Sequence, residues 1–391
     1  MIANPSSLIN RPLGAVTGNS IIIRALSILR SYGTNAHVYL PGIGTINGLT
    51  AGNYLESTGN TVATVDGLVG LAKDALGGIG PELVTNGDFS SATGWTLGQP
   101  TSGSVTIAGG VLNITSLDGS ACFARTGNIY TAGKTYQITF DVVSITGTLR
   151  VDAGGVIVST TITTAGAKTF TFTATASTTL SLIRAGVVNA TIDNVSSKEI
   201  TGIHATQATT ANKPILRQVS GKYSWEFDGT NDSLALGSVP FQMADDHCVI
   251  AAFKVNTVAA GSKVISSIYG AGTQRVAQLS VETDTLTATW TDDAGTAGTS
   301  PTGSVITAGT NLVACARKTG NTKELFKNDV LVNASTTAAG ATTVTTAAIG
   351  TNGTGFHNGN LSIEIKIKGT VSDADKTILS KYAAQYAGVT L

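Results

Sequence analysis

The stretch "KTYQITFDVVSI", residues 134–145, alternates large apolar residues with shorter polar ones. Tyr136, Ile138, Phe140 and Val142 fall on one face of an extended chain, and the threonine and glutamine residues between them fall on the other. A period of two residues is typical of a strand that has one face in a core. The stretch therefore predicts a β-strand of a layered domain.

Two further stretches continue this pattern. "KTFTFTATAS", residues 168–177, repeats the alternation with Phe170 and Phe172, and "ATIDNVSSKEI", residues 190–200, supplies another strand. Short strands separated by turn residues are typical of a β-sandwich or jelly roll. The chain has 46 glycines among 391 residues and 42% hydrophobic residues, which favours an all-β protein over a disordered one.

The two ends of this region carry a resemblance. "ELVTNGDFSSATGW", residues 82–95, precedes the alternating strands, and "TIDNVSSKEI" follows them. This order resembles the carbohydrate-binding-module type of jelly roll, in which an Asn-Gly-x-Phe strand lies near a closing Ile-Asp-Asn-Val strand. The resemblance implies a jelly-roll domain over residues 81–200, with Phe89 and Trp95 as core and rim of its first strand.

The same resemblance implies a structural calcium ion, because members of that family often hold one between these two ends. Asp88 and Asp193 would be its ligands in this chain. The acidic residue that usually follows the Phe is Ser90 here, so the ligand set departs from the family pattern. No other cofactor is predicted.

A second β unit is predicted over residues 201–391. "KYSWEFDGTNDSLAL", residues 222–236, and "GFHNGNLSIEIKI", residues 355–367, contain strands that adjoin turns. "SDADKTILSKYAAQYAG", residues 372–388, predicts a helix that Ser372 caps and the last glycine closes. These three motifs, in this order, resemble the concanavalin A-like, laminin-G-type lectin fold, which implies a second sandwich with a C-terminal helix.

Residues 1–80 stand apart as an N-terminal assembly segment. Their Gly-rich part holds one turn signal after another. It either gains order by lying on another surface, which is its own body or a neighbouring subunit, or forms a loosely packed extension. "SIIIRALSIL", residues 20–29, suits a short helix or a buried strand and has an apolar face in both cases. Because such faces are normally buried against another chain, we predict a self-association contact at Ile22, Leu26 and Leu29.

Composition limits the classes of partner. Lysine plus arginine equals aspartate plus glutamate at 24 each, and charged residues make up only 12% of the chain, so no basic stripe indicates nucleic acid. The N-terminus lacks the features of an export signal, and the most apolar run is too short to span a membrane. Cys122, Cys248 and Cys315 have no metal-ligand spacing, which predicts buried free thiols.

A glycosidase built on a concanavalin A-like sandwich needs two carboxylates that face each other across the bond. "VETDTLTATW", residues 281–290, places Glu282 and Asp284 on one strand face, but Thr287 stands where the family's Glu-x-Asp-x-x-Glu pattern has its second carboxylate. We therefore predict that the chain is not an enzyme. Trp290 alternates with small and apolar residues, and we predict that it lines the concave sheet as a platform for a sugar.

An N-terminal segment, a jelly roll and a lectin-like unit in one chain resemble accessory structural proteins of tailed bacteriophages. The resemblance implies a non-enzymatic virion protein that decorates or cements the capsid, with its lectin-like domains facing outward. Its partners would be further copies in a homotrimer and other virion proteins such as the major capsid protein, and its location the phage particle surface after synthesis in the host cytoplasm. The alternative is a tail or head fibre adhesin that binds host-surface glycans.

Overall fold

The fold is taken from a computed structural model of the chain, which describes residues 18–42, 44–46, 49–51, 53–54, 62–77, 79–99, 102–258, 261–271, 273–292, 297–298, 302–337 and 343–391. The helices are α1 (Gly18–Ser31) and α2 (Asp373–Ala387), with 3₁₀ turns at Gly33–Asn35 and Thr210–Asn212. The strands, in chain order, are β1 (Ala36–Tyr39), β2 (Gly44–Ile46), β3 (Leu49–Ala51), β4 (Asn53–Tyr54), β5 (Leu71–Ala72), β6 (Ile79–Glu82), β7 (Trp95–Gly98), β8 (Gly103–Ala108), β9 (Val111–Ser116), β10 (Phe123–Tyr130), β11 (Thr135–Ala153), β12 (Val156–Ile157), β13 (Gly166–Thr173), β14 (Thr178–Ile200), β15 (Ala205–Thr206), β16 (Ile215–Val219), β17 (Lys222–Asp228), β18 (Leu234–Leu236), β19 (His247–Val255), β20 (Ser262–Tyr269), β21 (Arg275–Glu282), β22 (Thr285–Thr291), β23 (Ala297–Gly298), β24 (Thr302–Val305), β25 (Leu312–Thr319), β26 (Thr322–Lys327), β27 (Val330–Ser335), β28 (Thr346–Ile349) and β29 (Asn358–Lys368).

Antiparallel strands dominate the described residues, which confirms the predicted all-β class. Contacts divide the chain into two compact units. The first contains the described residues up to 77 together with residues 202–391, and the second contains residues 79–201. The sequence-based division places residues 1–80 and 201–391 in separate domains, whereas the described residues up to 77 pack with residues 202–391 in one unit.

The first unit is a sandwich of two sheets. One has the strand order β16-β17-β29-β19-β25-β26-β27, with β1 also beside β29. The other has the order β23-β22-β21-β20-β28-β18-β15-β5-β4, with β24 also beside β22. Their facing sides form a core that includes Trp225, Phe253 and Trp290. In β19 the alternate residues point away from this core and meet the helices.

Helix α2 covers the outer side of β19, β25 and β29, and α1 packs against α2 in the same apolar cluster. Ser372 caps α2, since its hydroxyl accepts a hydrogen bond from the Asp375 amide at 3.1 Å, and Gly388 ends the helix with φ 70°. Both features confirm the predicted helix. Cys248 and Cys315 lie under this layer as free thiols, with their Sγ atoms 3.4 Å apart.

Strand β1 ties the N-terminal residues into the first sheet. It pairs antiparallel with β29, so that His37 lies opposite Lys366 and Tyr39 lies opposite Glu364. All four side chains are buried. Lys366 Nζ donates to Glu364 Oε1 at 2.6 Å and to Ser266 Oγ on the other sheet, so the buried charge has partners.

Asp74 holds β1 at the edge that faces away from β29. Its carboxylate lies 2.6 Å from His37 Nδ1 and accepts a hydrogen bond from the Val38 amide at 3.0 Å. The Asp74 amide donates to His204 Nδ1 at 3.1 Å. The described N-terminal residues thus share a buried polar network with residues from the C-terminal half of the chain, and they are part of the body of the unit.

The second unit is built on two long strands, β11 with 19 residues and β14 with 23, which pair over most of their length. The pairing is interrupted near Gly147, where φ is 89° and Val187 O approaches so closely that a Cβ would lie 2.0 Å from it. The N-terminal part of β14 also pairs with β10, and its later parts pair with β9 and β6. Residues of β9, β10, β11, β13 and β14 share one hydrophobic core.

The two ends of this unit meet, as the resemblance predicts. The Val195 amide donates to Gly87 O at 2.8 Å, and a Cβ on Gly87 would lie only 1.8 Å from Val195 O. Phe89 and Trp95 pack with their ring centroids 5.2 Å apart, and Trp95 Nε1 donates to Asn86 O at 3.1 Å. Both rings are buried, so Trp95 lies in the core and not at the rim.

Candidate functional site

Trp290 lies on β22 with its indole fully buried in the sandwich core of the first unit. Its Nε1 donates to His247 Nε2 at 2.9 Å, and the His247 ring stacks on Phe241 with centroids 4.4 Å apart. The alternation along β22 turns this ring toward the opposite sheet, so it offers no exposed face to a sugar. Trp95 and Trp225 are buried as well, and the sugar platform expected from the sequence is absent from all three tryptophans.

Glu282 ends a strand and Asp284 lies in the hairpin turn that follows it, so the two do not share a strand face. β21 ends at Glu282 and β22 begins at Thr285. Glu282 is exposed and accepts a hydrogen bond from Ser262 Oγ at 2.6 Å, whereas Asp284 accepts one from Thr285 Oγ1 at 3.1 Å. Thr287 is buried. The strand therefore does not direct a pair of carboxylates toward one bound sugar, as retaining or inverting hydrolysis requires.

Asp88 and Asp193 lie near the joint between Gly87 and Val195, but they do not form a calcium site. A depression of about 460 Å³ at this joint is lined by Asp88 and not by Asp193. Asp88 Oδ1 accepts hydrogen bonds from the Ser90 amide and hydroxyl, so the residue that replaces the family's acid occupies this carboxylate. Among the described residues, no group of three metal-binding side chains exists. The residues do not fit the ion that the resemblance implies.

Glu82, which also lines the depression, has its carboxylate engaged by the protein. It accepts hydrogen bonds from the amides of Leu83, Val84 and Ser197 and from the Ser196 hydroxyl. Burial raises the pKa of this carboxyl, but these hydrogen bonds outweigh burial and hold the pKa below its usual value. Glu82 therefore fastens β6 to β14 as a structural clamp.

The apolar face of α1 is covered by the chain itself. Leu26 and Leu29 are buried in the cluster between α1, α2 and the first sheet, and Ile22 packs against that cluster. Ile23, on the opposite side of the helix, is 61% exposed. The self-association contact predicted at Ile22, Leu26 and Leu29 is thus an internal contact, because the distant C-terminal helix supplies the cover that the Gly-rich residues could not.

The second unit carries a broad polar surface that is not among the sites predicted from the sequence. Strands β8, β9, β14 and β11 lie side by side, and their outward residues form two rows across the sheet. Every residue of both rows is Ser, Thr or Asn, and none is fully buried. We call this surface the Ser/Thr/Asn face; one row is Ser104, Thr115, Asn189 and Thr146, and the other is Thr106, Asn113, Thr191 and Ser144.

Hydrogen bonds within the Ser/Thr/Asn face fix the direction of its two amides. Thr191 Oγ1 donates to Asn113 Oδ1 at 3.0 Å, and Thr115 Oγ1 donates to Asn189 Oδ1 at 3.3 Å. Within the described part of the chain, the Nδ2 groups of both asparagines have no protein partner. The hydroxyls of the four outermost Ser and Thr residues have none there either, so the face presents donors and acceptors together.

The size of this face follows from strand geometry. Adjacent strands lie about 4.8 Å apart, so each row spans about 14 Å, and the two rows are separated by about 7 Å. Leu117, directly after β9, and Val187, on β14, are both more than half exposed and lie beside the rows. Asp118 follows Leu117, and hydrogen bonds from Ser102 and Ser120 lower its pKa to about 2. The rows themselves carry no charge.

A weak signal for this face exists in the sequence. "VLNITS", residues 111–116, alternates like the strand at 134–145, and Asn113 and Thr115 fall on the face opposite Leu112 and Ile114. Alternation predicts that these side chains point outward. It does not predict that they align with Asn189 and Thr191, because that alignment depends on the register between strands far apart in the chain.

The chain matches no known protein-family profile and no curated protein. Solved structures that align in part with this chain include Trypanosoma rangeli sialidase in complex with 2,3-difluorosialic acid. The alignment has 11% identity and a TM-score of 0.36, and it covers 48% of this chain and 31% of the sialidase chain. Botulinum neurotoxin serotype D binding domain is similar at 11% identity and a TM-score of 0.34 over 46% of this chain and 49% of that one. The chain thus spans less than half of either structure. At this level of similarity neither indicates a ligand or an activity for this chain.

The described helices include none with the length and apolar character needed to cross a membrane.

Proposed function

We propose that this chain is a non-enzymatic binding protein whose jelly-roll unit holds neutral glycans on the Ser/Thr/Asn face. The observation that carries the proposal is the pair of uncharged rows, whose two amide Nδ2 groups and four outermost hydroxyls have no protein partner among the described residues. Sugar hydroxyls both donate and accept hydrogen bonds, so a surface that offers both kinds of group matches them. The absence of charge from the rows favours neutral over acidic polysaccharides.

A site of this kind binds through hydrogen bonds and without a tryptophan platform. We therefore expect weak affinity for a single site, because each hydrogen bond to sugar replaces one to water. Several copies held together on one surface compensate for weak single sites through avidity. The proposal thus suits a protein displayed in many copies.

The setting that fits such display is a tailed-bacteriophage particle, with the chain as a tail or head fibre adhesin for host-surface glycans. Capsid decoration or cementing is the second candidate. A charge content of only 12% favours it, since so little charge suits a protein packed into a large assembly. Locating the chain in a density map of the particle distinguishes the two, because an adhesin lies at a fibre and a decoration protein lies on the capsid lattice.

Catalysis is not part of the proposal, and one assay checks this. The purified protein should release no reducing sugar from neutral polysaccharides, and Glu282→Ala should behave like the unchanged chain. Cleavage that disappears in Glu282→Ala would show that the chain is a hydrolase.

Affinity electrophoresis tests glycan binding directly. The protein should be retarded in gels that contain a neutral polysaccharide, such as dextran or galactomannan, and not in gels that contain acidic hyaluronan. Asn113→Ala combined with Asn189→Ala should abolish the retardation, whereas Thr96→Ala, at an exposed position on β7, should leave it unchanged. Equal retardation of the double variant, or migration unaffected by a panel of neutral glycans, contradicts the proposal.

A further inference from the structure

Two apolar side chains adjoin the Ser/Thr/Asn face of the second unit. Leu117 is 73% exposed, which is more than any other large apolar side chain among the described residues, and Val187 is 55% exposed. Single exposed apolar residues are ordinary on a protein surface. Adjacent ones that border polar binding groups are a feature of ligand sites, which combine apolar contacts with a few placed polar groups.

The strand register places these two side chains next to each other. Ser116 lies opposite Val188 in the antiparallel pair of β9 and β14, so Leu117 and Val187 are the next opposed positions. Because Ser116 and Val188 are buried, alternation turns Leu117 and Val187 to the outer side of the sheet, which is the side of the Ser/Thr/Asn face. The Cβ atoms of opposed residues lie about 5 Å apart, so the two side chains form one patch, which we call the aliphatic pair.

Hydrogen bonds around the turn after β9 hold Leu117 in place. The Leu117 amide donates to Ser102 O at 3.3 Å, which continues the pairing of β8 and β9 by one residue. Asp118 accepts hydrogen bonds from the hydroxyls of Ser102 and Ser120 and from the Ser120 amide, the last at 2.8 Å. Ser116 Oγ donates to Ser120 O at 3.0 Å. A side chain that is held in position in this way loses little conformational entropy when a ligand covers it.

The size of the aliphatic pair favours a small ligand over a protein partner. A stable interface between two proteins buries about 800 Å² on each of them. Two side chains about 5 Å apart present far less apolar surface than that. Their combined width is that of one pyranose ring, and the adjoining rows supply hydrogen-bonding groups for the neighbouring sugars of a glycan.

We propose that the aliphatic pair is an apolar subsite of the glycan-binding face, and that its occupant is a pyranose ring that lies with its C–H side on Leu117 and Val187. This inference rests on the glycan binding proposed above. Thr115 and Asn189, the adjoining outward positions of β9 and β14, then hold the next sugar of the chain by hydrogen bonds. Contact between the aliphatic side chains and the C–H groups of the ring removes apolar surface of both from water.

This subsite determines which neutral glycans bind best. In a β-linked glucose unit all ring hydroxyls are equatorial, so both sides of the ring present C–H groups. Mannose has an axial hydroxyl at C2 and galactose has one at C4, and each places an oxygen on one side of its ring. Burying that oxygen against Leu117 or Val187 leaves it without a hydrogen bond, which costs free energy. The site therefore prefers β-glucan to galactomannan.

Affinity electrophoresis of the full-length protein in gels that contain β-glucan or galactomannan tests the subsite. The unchanged chain should bind β-glucan more tightly. Val187→Thr, which replaces an exposed methyl group by a hydroxyl at nearly constant shape, should weaken β-glucan binding by about fourfold, and Leu117→Asn should weaken it by at least about tenfold. Both changes should remove most of the preference for β-glucan. Val156→Thr, a matched change at a 52% exposed position on β12 of the same unit, should leave binding unchanged.

Thermal unfolding of each variant establishes that it is folded. Suppose that the Asn113→Ala and Asn189→Ala double variant loses β-glucan binding, while Val187→Thr and Leu117→Asn keep both the affinity and the preference. That result overturns the aliphatic subsite and leaves glycan binding by the Ser/Thr/Asn face in place. Weakening by Val156→Thr as large as that by Val187→Thr also overturns the subsite. If neither polysaccharide retards the unchanged chain, the proposed function fails and the subsite fails with it.

Discussion

His247 illustrates how the core of the first unit keeps a titratable side chain neutral. Its Nδ1 lies 2.9 Å from Asp245 O, and its Nε2 accepts from Trp290 at 2.9 Å, so one ring nitrogen donates and the other accepts. The ring is fully buried and stacks on Phe241. Burial lowers the pKa of His247 to about 3, because the imidazolium form would lose its hydration.

This shift predicts a loss of stability in mild acid. The unfolded chain takes up a proton at His247 near pH 6.5, whereas the folded protein resists it down to about pH 3. The free energy of unfolding should therefore fall as the pH is lowered through this window, by up to about 1.4 kcal/mol per pH unit for one group. His247→Gln should make the fall shallower, and urea unfolding at several pH values measures both slopes.

His357 contributes in the same direction, since burial lowers its pKa to about 4, and it remains in the His247→Gln variant. The comparison with the unchanged chain isolates the share of His247. Parallel pH profiles of the two proteins would contradict the assigned role.

Residue-level expectations from the sequence succeeded where local pattern decided the outcome. Ser372 and Gly388 bound the last helix as predicted, because capping depends on residues within one turn. The prediction that Trp290 lines the exposed concave face is wrong, since an alternating strand does not reveal which of its faces meets the second sheet. The network of His37, Asp74 and His204 could not be predicted, because its members are brought together only by the tertiary fold.

At the scale of elements, α1 also shows that local pattern can be predicted from the sequence whereas a tertiary contact cannot. The sequence left a helix or a strand open for residues 20–29, and the structure has a helix over Gly18–Ser31. The sequence predicts the apolar stripe of this helix but predicts a second copy of the chain as its cover. The cover is α2, from the opposite end of the chain. A sequence pattern indicates that a face needs burial and does not indicate what buries it.

Two substitutions on α1 test this assignment. Leu29→Ala should lower the free energy of unfolding by about 2–5 kcal/mol, because it leaves a cavity beneath α2. Ile23→Ala, on the exposed side of the same helix, should change it by less than about 0.5 kcal/mol. Urea unfolding measures both values. Equal effects of the two changes would mean that α1 does not pack on α2 as described.

At the scale of the whole molecule, the second unit interrupts the first in sequence. Within the first unit the two flanks of this interruption are joined, since β5 pairs with β15 through Ala72 and Ala205, and the Ile203 amide lies 3.4 Å from Asp74 Oδ2. The sequence indicated a jelly roll and a lectin-like sandwich but not this interruption. Composition and turn signals mark where strands end, and they do not record which distant strands complete a sheet.

This arrangement predicts which pieces of the chain fold alone. Residues 78–201 should form a stable domain, because all of its core residues lie within it. Residues 202–391 should not fold cooperatively, because they lack α1, β1 and β5 and would expose the apolar side of the first sheet and the buried Glu364–Lys366 pair.

Joining residue 77 to residue 202 by a short Gly-Ser linker should restore a folded first unit, since these flanks already pair. Near-ultraviolet circular dichroism and thermal unfolding of the three proteins decide the matter. Cooperative unfolding of residues 202–391 at the same temperature as the linked protein would show that the N-terminal residues are dispensable to this unit.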